Sequence, residues 1–354
     1  MTASPDLVLH LGTGKAGSSS IQFFLRDNRE RLAERGILYP RSPGGGRHVQ
    51  LGLFAKPYAE LVTSPEWARI KQTDPAKFRR RFRRRLLAEI EQSGLSRVLL
   101  SDEILFGASP QTLRRLAEFT EAVARSRRLV VYLRRQDDHM VSRYQQGVKI
   151  GWVKRLSEWA REDMSDLYDY RARLERHRRL FAPATVVVRR FEPASFADGS
   201  LFQDFLDAAG VDARVSDLLP VADRNRSLDG ESIEFLRLLN LYRVEREDAT
   251  TGLIDNRALV DRLASVSTGP TLTMPDVFLD EFMAGWEDSN RAVARDFLGD
   301  RSGQLFRMPR KSRNTTTEQV LDPARLDHYL EVLELPEQLE EPLRAIAERE
   351  ASVR

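Results

Sequence analysis

The stretch from Leu7 to Asn28 constrains the fold of this chain more than any other. Leu7 to Leu11 is a short and mostly apolar run, which predicts one buried strand of a parallel sheet. Three glycines, a lysine and three serines follow it. Apolar residues then recur at helical spacing from Ile21 to Leu32, and Gly36 is placed to end that helix. The sequence therefore predicts a strand, a glycine-rich turn and a helix.

The glycine-rich turn has the features of an anion site. The first amides of a helix have no internal partner, and the helix dipole favours negative charge at that end. Gly12, Gly14 and Gly17 allow the backbone to fold tightly around a phosphate, and Lys15 adds a positive charge. We therefore predict that the turn binds a phosphate. The alternative is a glycine-rich turn without a ligand.

The position of the lysine limits which phosphate the turn can bind. A Walker A loop, G-x-x-x-x-G-K-[ST], has its lysine directly after the last glycine. Gly12 and Gly17 have that separation here, but Ser18 follows Gly17, and Lys15 comes two residues before it. The turn therefore departs from the nucleoside triphosphatase pattern at its most informative position.

The rest of the chain predicts a large α/β protein. With 41% hydrophobic and 31% charged residues over 354 positions, the chain is expected to fold around a sizeable core. Further strand candidates are Arg97–Glu103, Leu129–Leu133 and Thr185–Val188. Because helices alternate with these strands, we expect a central parallel sheet with right-handed crossovers. We predict a single domain, 1–354, with an α/β core over 1–192 and a mainly helical part over 193–354.

Several classes of protein are not expected from this composition. No apolar run approaches the length of a membrane span, and no signal peptide precedes the first strand. The chain has no cysteine, so it has no disulfide or thiolate metal site. No two histidines have the spacing of metal ligands, and we expect no metal. We expect a cytoplasmic protein.

Lys77 to Arg85 is the most basic run in a chain whose net charge is only +3. Phe78, Phe82 and Leu86 share one helical face, so the arginines mostly cover the other. One interpretation is a solvated helix face. The other is a guide for an anionic substrate or a peripheral contact with a membrane surface. Nucleic acid is not an expected partner, because no helix-turn-helix, zinc or RNA-recognition signature accompanies the run.

A second candidate phosphate motif follows the strand Leu129–Leu133. Arg134 lies at the carboxyl end of that strand, where open α/β sheets bind ligands. Ser142 comes eight residues later, in the next predicted helix. Such an arginine and hydroxyl can together hold a phosphate. The alternative is an ion pair between Arg134 and Asp137 or Asp138.

The two motifs together resemble those of sulfotransferases that use 3′-phosphoadenosine 5′-phosphosulfate (PAPS). Their 5′-phosphosulfate loop is written P-K-[ST]-G-[ST]-[ST], and it is similar to Lys15-Ala16-Gly17-Ser18-Ser19. Gly14 replaces the proline of that pattern, and Ala16 replaces a hydroxyl residue. The 3′-phosphate motif of the family resembles Arg134, Ser142 and Tyr144, with Gln136 in place of a frequent proline. The segments Asn225-Arg226-Ser227-Leu228 and Ser289–Arg295 also look like the bacterial members of this family.

The resemblance implies a P-loop-like sheet and transfer of a sulfuryl group from PAPS to a hydroxyl, leaving 3′,5′-phosphoadenosine (PAP). The acceptor would be a glycan, a glycolipid or a small metabolite, and the sequence does not distinguish among them. The implied cofactor-binding residues are Gly14, Lys15, Ala16, Gly17, Ser18, Ser19, Ser20, Arg134 and Ser142. Oligomeric state is not readable from the sequence.

Sulfuryl transfer needs a base for the acceptor proton and stabilisation of the negative charge on the leaving phosphate. By the resemblance, Lys15 takes the second role. His48 is the first candidate base, because an imidazole titrates near neutrality and a glycine-rich loop precedes it. Glu103, at the end of the second predicted strand, is the other candidate. His10, inside the first strand, is expected to be a core residue.

Two other functions remain open at this stage. Asp102-Glu103 after an apolar run is similar to a Walker B strand, which favours a P-loop kinase or another enzyme that uses Mg²⁺ and ATP. A non-catalytic protein that keeps the nucleotide site but lacks a base is the third possibility.

Overall fold

The computed structural model describes residues 4–221, 227–247 and 249–352. The strands of this described part are β1 Asp6–Leu11, β2 Ile37–Leu38, β3 Arg97–Asp102, β4 Ser126–Leu133, β5 Thr185–Arg190, β6 Thr271–Leu272 and β7 Thr315–Thr316. Its α-helices are α1 Ser18–Asp27, α2 Arg29–Ala33, α3 Val49–Ala55, α4 Tyr58–Val62, α5 Pro65–Arg69, α6 Pro75–Ser93, α7 Pro110–Val123, α8 Gln136–Lys149, α9 Leu156–Trp159, α10 Ser165–Tyr168, α11 Tyr170–Leu180, α12 Leu201–Ala209, α13 Gly230–Arg246, α14 Arg257–Val266, α15 Asp276–Ala284, α16 Glu287–Leu298, α17 Leu326–Val332 and α18 Glu340–Ser352. Short 3₁₀ helices lie at Leu105–Gly107, Pro193–Ser195, Ala197–Gly199, Val215–Asp217, Pro323–Arg325 and Glu337–Leu339.

The chain divides into two compact units. The sheet unit comprises Met1–Arg135, Met164–Asp223 and Trp286–Pro309. The helical unit comprises Gln136–Asp163, Arg224–Gly285 and Arg310–Arg354. The first unit thus takes in residues on both sides of position 192. The expectation of one functional domain over 1–354 stays a prediction.

The sheet unit is built on a five-stranded sheet in the order β2-β3-β1-β4-β5, with every neighbouring pair parallel. Leu9 of β1 pairs with Leu100 of β3 and with Leu129 of β4. These central strands are buried and carry nearly continuous apolar runs, which is typical of parallel sheets covered on both faces. The α/β fold with a central parallel sheet flanked by helices is confirmed.

The strand order places the end of β1 at a switch point. The chain leaves β1 toward the β2 edge and leaves β4 toward the β5 edge. In open α/β sheets, ligands bind beyond the carboxyl ends of strands at such a position. The glycine-rich turn after β1 is therefore where a ligand is expected from topology alone.

Helices cover both faces of the sheet. On one face, Val8 and Val130 join a buried cluster with Phe24 of α1 and Phe205 of α12. Helices α3, α7 and α11 contact β3, β4 and β5, and their residues are absent from that cluster. Because alternate strand residues point to opposite faces, these three helices cover the second face.

The predicted helix that ends at Gly36 is two helices. Helix α1 ends at Asp27 and α2 begins at Arg29. The side chain of Asn28 between them donates to the Leu219 carbonyl at 3.1 Å and accepts from the Leu219 amide at 2.6 Å. Side-chain hydrogen bonds of this kind compete with a regular helical conformation, and the helix is interrupted at Asn28. The apolar spacing did not reveal the break.

The helical unit packs α13 against α8 and α18. At its centre, the Arg237 guanidinium donates to both carboxylate oxygens of Glu234 at 2.7 and 2.8 Å. Asn225 and Arg226 of the predicted helix start lie outside the described residues. The described start of α13 is capped by Asp229, whose carboxylate accepts from the Ser232 amide at 2.8 Å.

The C-terminal half of the chain is mainly helical, as predicted. Across the described ranges, none of the helices has both the length and the apolar character needed to cross a bilayer.

Candidate anion-binding site

The turn between β1 and α1 has a backbone that side chains rarely adopt. Gly17 directly precedes α1 with φ +76°, and Lys15 has φ +61°. A left-handed conformation costs a residue other than glycine about 1–2 kcal/mol, and such strain clusters at ligand-binding turns. At Gly12, a Cβ atom would lie 2.7 Å from the Glu103 Cα atom. Only glycine therefore allows the turn to lie this close to the end of β3.

Two side-chain hydrogen bonds hold the turn against the end of β4. The Thr13 hydroxyl donates to the Tyr132 carbonyl at 2.6 Å. From just beyond that strand, the Arg134 Nη1 atom donates to the Lys15 carbonyl at 2.9 Å. Arg134 thus fixes the strained residue of the turn, and the two predicted cationic residues of the site are brought together.

The turn presents hydrogen-bond donors that the described chain does not satisfy. No side chain caps the first turn of α1. The amides of residues 16 to 19 have no acceptor within the described ranges. The Ser18 side chain is 2% exposed, and its Oγ atom has no partner in the same part of the chain. Buried polar groups are almost always hydrogen-bonded, and a set of donors like this one is suited to an oxyanion. The geometry fits a phosphate or sulfate group.

The charges around the turn point to the same chemistry. Burial lowers the pKa of the Lys15 amine, and the positive charge of Arg134 lowers that pKa further. The Glu103 carboxylate acts in the opposite direction. A bound anion would offset both the desolvation of Lys15 and its repulsion by Arg134.

Glu103 belongs to a carboxylate pair bridged by an arginine. The Arg47 Nε atom lies 3.0 Å from Asp102 Oδ1, and its Nη1 atom lies 2.8 Å from Glu103 Oε1. Asp102 is fully buried and accepts from the Gly52 amide at 3.1 Å. Burial raises the pKa of Asp102 to about 6, although Arg47 opposes that shift. Glu103 is partly exposed, which leaves it accessible to a ligand.

Arg47 and Asp102 were not among the predicted site residues. In the sequence, Asp102 was noted only as part of a strand end similar to Walker B, and Arg47 has no signal besides its position next to His48. Parallel strands brought the loop of Arg47 and the end of β3 together, and no spacing rule predicts that contact.

The structure argues against His48 as the base that the glycine-rich loop was expected to present. His48 is fully buried directly before α3 and stacks on the Tyr39 ring at 4.3 Å between centroids. Its Nδ1 atom accepts from the Ser101 amide at 3.1 Å, so the proton lies on Nε2, which is 2.9 Å from the Pro40 carbonyl. Burial lowers its pKa to about 3. No ring nitrogen is left to accept a proton from a substrate.

His10 is a core residue, as predicted. Its ring is fully buried, and its Nδ1 atom lies 2.8 Å from the Ser101 hydroxyl. Gln22 donates to that same hydroxyl at 3.1 Å. This chain of hydrogen bonds links β1, β3 and α1 beneath the turn.

The second motif has members in both units. Arg134 follows β4 in the sheet unit, whereas Ser142 is half-buried on α8 of the helical unit. A shared 3′-phosphate site for these two residues stays a prediction. Tyr144 is fully buried, donates to the Lys154 carbonyl at 2.9 Å and accepts from Gln319 at 2.6 Å. These contacts explain its place in the core of the helical unit.

Within the described ranges, no three histidine, aspartate or glutamate side chains are grouped as metal ligands would be.

Comparison with known proteins gives two similarities. No family profile matches the chain. An uncharacterised protein of Archaeoglobus fulgidus is 25% identical over 226 residues, which is 63% of this chain and 55% of that protein. The chain thus spans about half the length of this relative. The crystal structure of a sulfotransferase from Alicyclobacillus acidocaldarius is similar with a TM-score of 0.40 and 16% identity, over 69% of this chain and 95% of the other.

Proposed function

We propose that this protein is a sulfotransferase that uses PAPS and transfers its sulfuryl group to a hydroxyl of a glycan, a glycolipid or a small metabolite. The observation that carries the proposal is the buried Ser18 hydroxyl, which has no partner in the described chain and lies at the helix start beside Lys15. A buried hydroxyl without a partner at the start of a helix supports an oxyanion as the ligand. Lys15 comes before Gly17 and not directly after it as in a Walker A loop, which favours a phosphosulfate over a triphosphate.

The proposed roles of the residues follow from their surroundings. Lys15, the Ser18 hydroxyl and the amides of residues 16 to 19 stabilise negative charge on the leaving phosphate. The bound nucleotide supplies the sulfuryl group. Glu103 takes the proton of the acceptor hydroxyl, and Arg47 orients its carboxylate through the 2.8 Å ion pair. Arg134 holds the turn in shape, and we propose that it also contacts the 3′-phosphate.

The test is thermal stabilisation by PAP, compared with stabilisation by ATP and Mg²⁺. A ligand that binds only the native state raises the melting temperature. We expect PAP to stabilise the wild type and to have no effect on Lys15→Ala or Arg134→Ala. Lys71→Ala is the matched control, because Lys71 is an exposed lysine that also has a positive φ, +51°. That variant should keep the full PAP response.

The other outcomes distinguish the rival functions. Stabilisation by ATP and Mg²⁺ alone would replace the proposal with an ATP-dependent phosphotransferase. No shift with either ligand would indicate a glycine-rich turn without a ligand. Once an acceptor is found, Glu103→Gln should lower the rate at which PAP is formed from PAPS by about 10²–10⁴-fold. PAP should still stabilise the variant. An unchanged rate would exclude Glu103 as the base.

A further inference from the structure

Helix α6 carries a row of cations that form no close ion pair with a carboxylate in the described ranges. Phe78, Phe82 and Leu86 are buried, and the opposite face shows Lys77, Arg80, Arg81 and Arg84 at spacings of three and four residues. All four of these side chains are exposed. We call this row the basic face.

None of the four basic-face residues forms an ion pair with a carboxylate within 4.0 Å in the described ranges. Exposed arginines elsewhere do form such pairs, for example Arg125 with Asp6, Arg257 with Asp255 and Arg349 with Glu245. The chain has almost as many acidic residues as basic ones, 53 against 56. A shortage of carboxylates therefore does not explain the unpaired row.

A pair of exposed apolar side chains lies on the helix that packs beside α6. Tyr58 and Val62 of α4 are 65% and 40% exposed, and their spacing of four residues puts them on the same helical face. Helix α4 contacts α6, and the Arg79 Nη2 atom donates to the Lys56 carbonyl just before α4. Two neighbouring helices of the sheet unit thus carry exposed cations on α6 and an exposed aromatic and an exposed aliphatic side chain on α4.

We propose that the basic face of α6, together with Tyr58 and Val62, binds the surface of an anionic lipid bilayer. Arginine guanidinium groups bind lipid phosphates through paired hydrogen bonds, and each basic residue near an anionic membrane adds to the attraction. An exposed tyrosine and valine insert at headgroup depth and add a second, apolar contribution. A nucleic acid duplex would contact the cations through its phosphates but offers no apolar layer for Val62, so it fits less well.

The position of α6 gives this contact a defined orientation. The helix leads into β3 as a parallel crossover, so it runs opposite to the strands. Its first turns, which carry Lys77 to Arg84, therefore lie at the level of the carboxyl edge of the sheet, where the anion-binding turn opens. The proposal does not depend on the sulfotransferase activity.

The test is flotation of the protein with phosphatidylcholine vesicles, with and without phosphatidylserine, at low and high salt. We expect binding only to the anionic vesicles, with loss at high salt. Arg80→Gln combined with Arg84→Gln should weaken binding about 25-fold, because each basic residue near the surface contributes about fivefold. The control combines Arg179→Gln with Arg301→Gln, which removes two exposed arginines elsewhere in the sheet unit and should leave binding unchanged.

Two further arms complete the experiment. Tyr58→Ser combined with Val62→Ser should weaken vesicle binding without changing its salt dependence. If the double variant at Arg80 and Arg84 and the control double variant lose vesicle binding equally, the proposal is overturned. Binding would then depend on the net charge of the protein and not on the basic face. Binding of a nucleic acid duplex that requires Arg80 and Arg84, with no vesicle binding, would replace the lipid surface by nucleic acid as the partner. Thermal melts of each variant report that it is folded.

Discussion

Ser18→Ala is the change that most directly tests the anion-binding turn, because it should alter ligand-free stability and ligand affinity in opposite directions. The Ser18 hydroxyl is buried without a partner in the described chain. Leaving a buried polar group unsatisfied costs about 1–3 kcal/mol, so its removal should raise the free energy of unfolding by about that amount. The alanine methyl occupies nearly the same space as the lost hydroxymethyl group, so little cavity energy offsets the gain.

The same substitution should weaken PAP binding. A hydrogen bond to a charged group contributes about 1.5–3 kcal/mol, which corresponds to a loss in affinity of between about tenfold and about a hundredfold. The free energy of unfolding is measured in urea without ligand, and the dissociation constant of PAP by calorimetry. Both measurements use the full chain.

Ser42→Ala is the matched control for this experiment. The Ser42 Oγ atom is also buried without a partner in the described ranges, but it lies in the loop before His48. That variant should gain stability and keep its affinity for PAP. If Ser18→Ala instead destabilises the free protein and leaves PAP affinity unchanged, the hydroxyl serves the fold, and the argument for a ligand at this turn is wrong.

Two further predictions concern stability. Gly17→Ala should lower the free energy of unfolding in urea by more than about 2 kcal/mol, because φ is +76° and the new Cβ would lie 2.6 Å from Leu201 Cδ2. In the control Gly14→Ala, the new Cβ would have nothing within 4 Å, and the loss of stability should be less than half as large. Equal losses in the two variants would contradict this geometry. His48 has a pKa of about 3 in the folded state, below the ordinary 6.5, so the stability that it contributes is present above pH 6.5 and lost as the pH falls toward 3. Between neutral pH and about pH 5 this loss is about 2 kcal/mol, and His48→Gln should remove it. His328→Gln, at an exposed histidine, should keep the wild-type pH dependence, and a wild-type slope in His48→Gln would refute the burial argument.

The sequence by itself determined the framework of the sheet unit. Apolar runs at Leu7, Arg97, Leu129 and Thr185 became four parallel strands within a few residues of their predicted bounds. Such runs are local, because a strand buried on both faces needs apolar residues at nearly every position. The strand, turn and helix around Lys15 were predictable because their signal is also local. Glycine and lysine at a helix start predict an anion site without reference to the rest of the chain.

Only the tertiary structure decided what surrounds that turn. Arg47 and Glu103 lie more than fifty positions apart in sequence, and their ion pair exists because β2, which leads into the loop of Arg47, pairs with β3. His48 looked available in the sequence, yet Pro40 and Ser101 bind both of its ring nitrogens. Burial and hydrogen-bond partners depend on which segments the fold brings together, and one sequence carries no local signal for them. Residue type therefore predicted where a candidate site lies, whereas long-range packing determined the burial and hydrogen-bond partners of the candidate bases, His48 and Glu103.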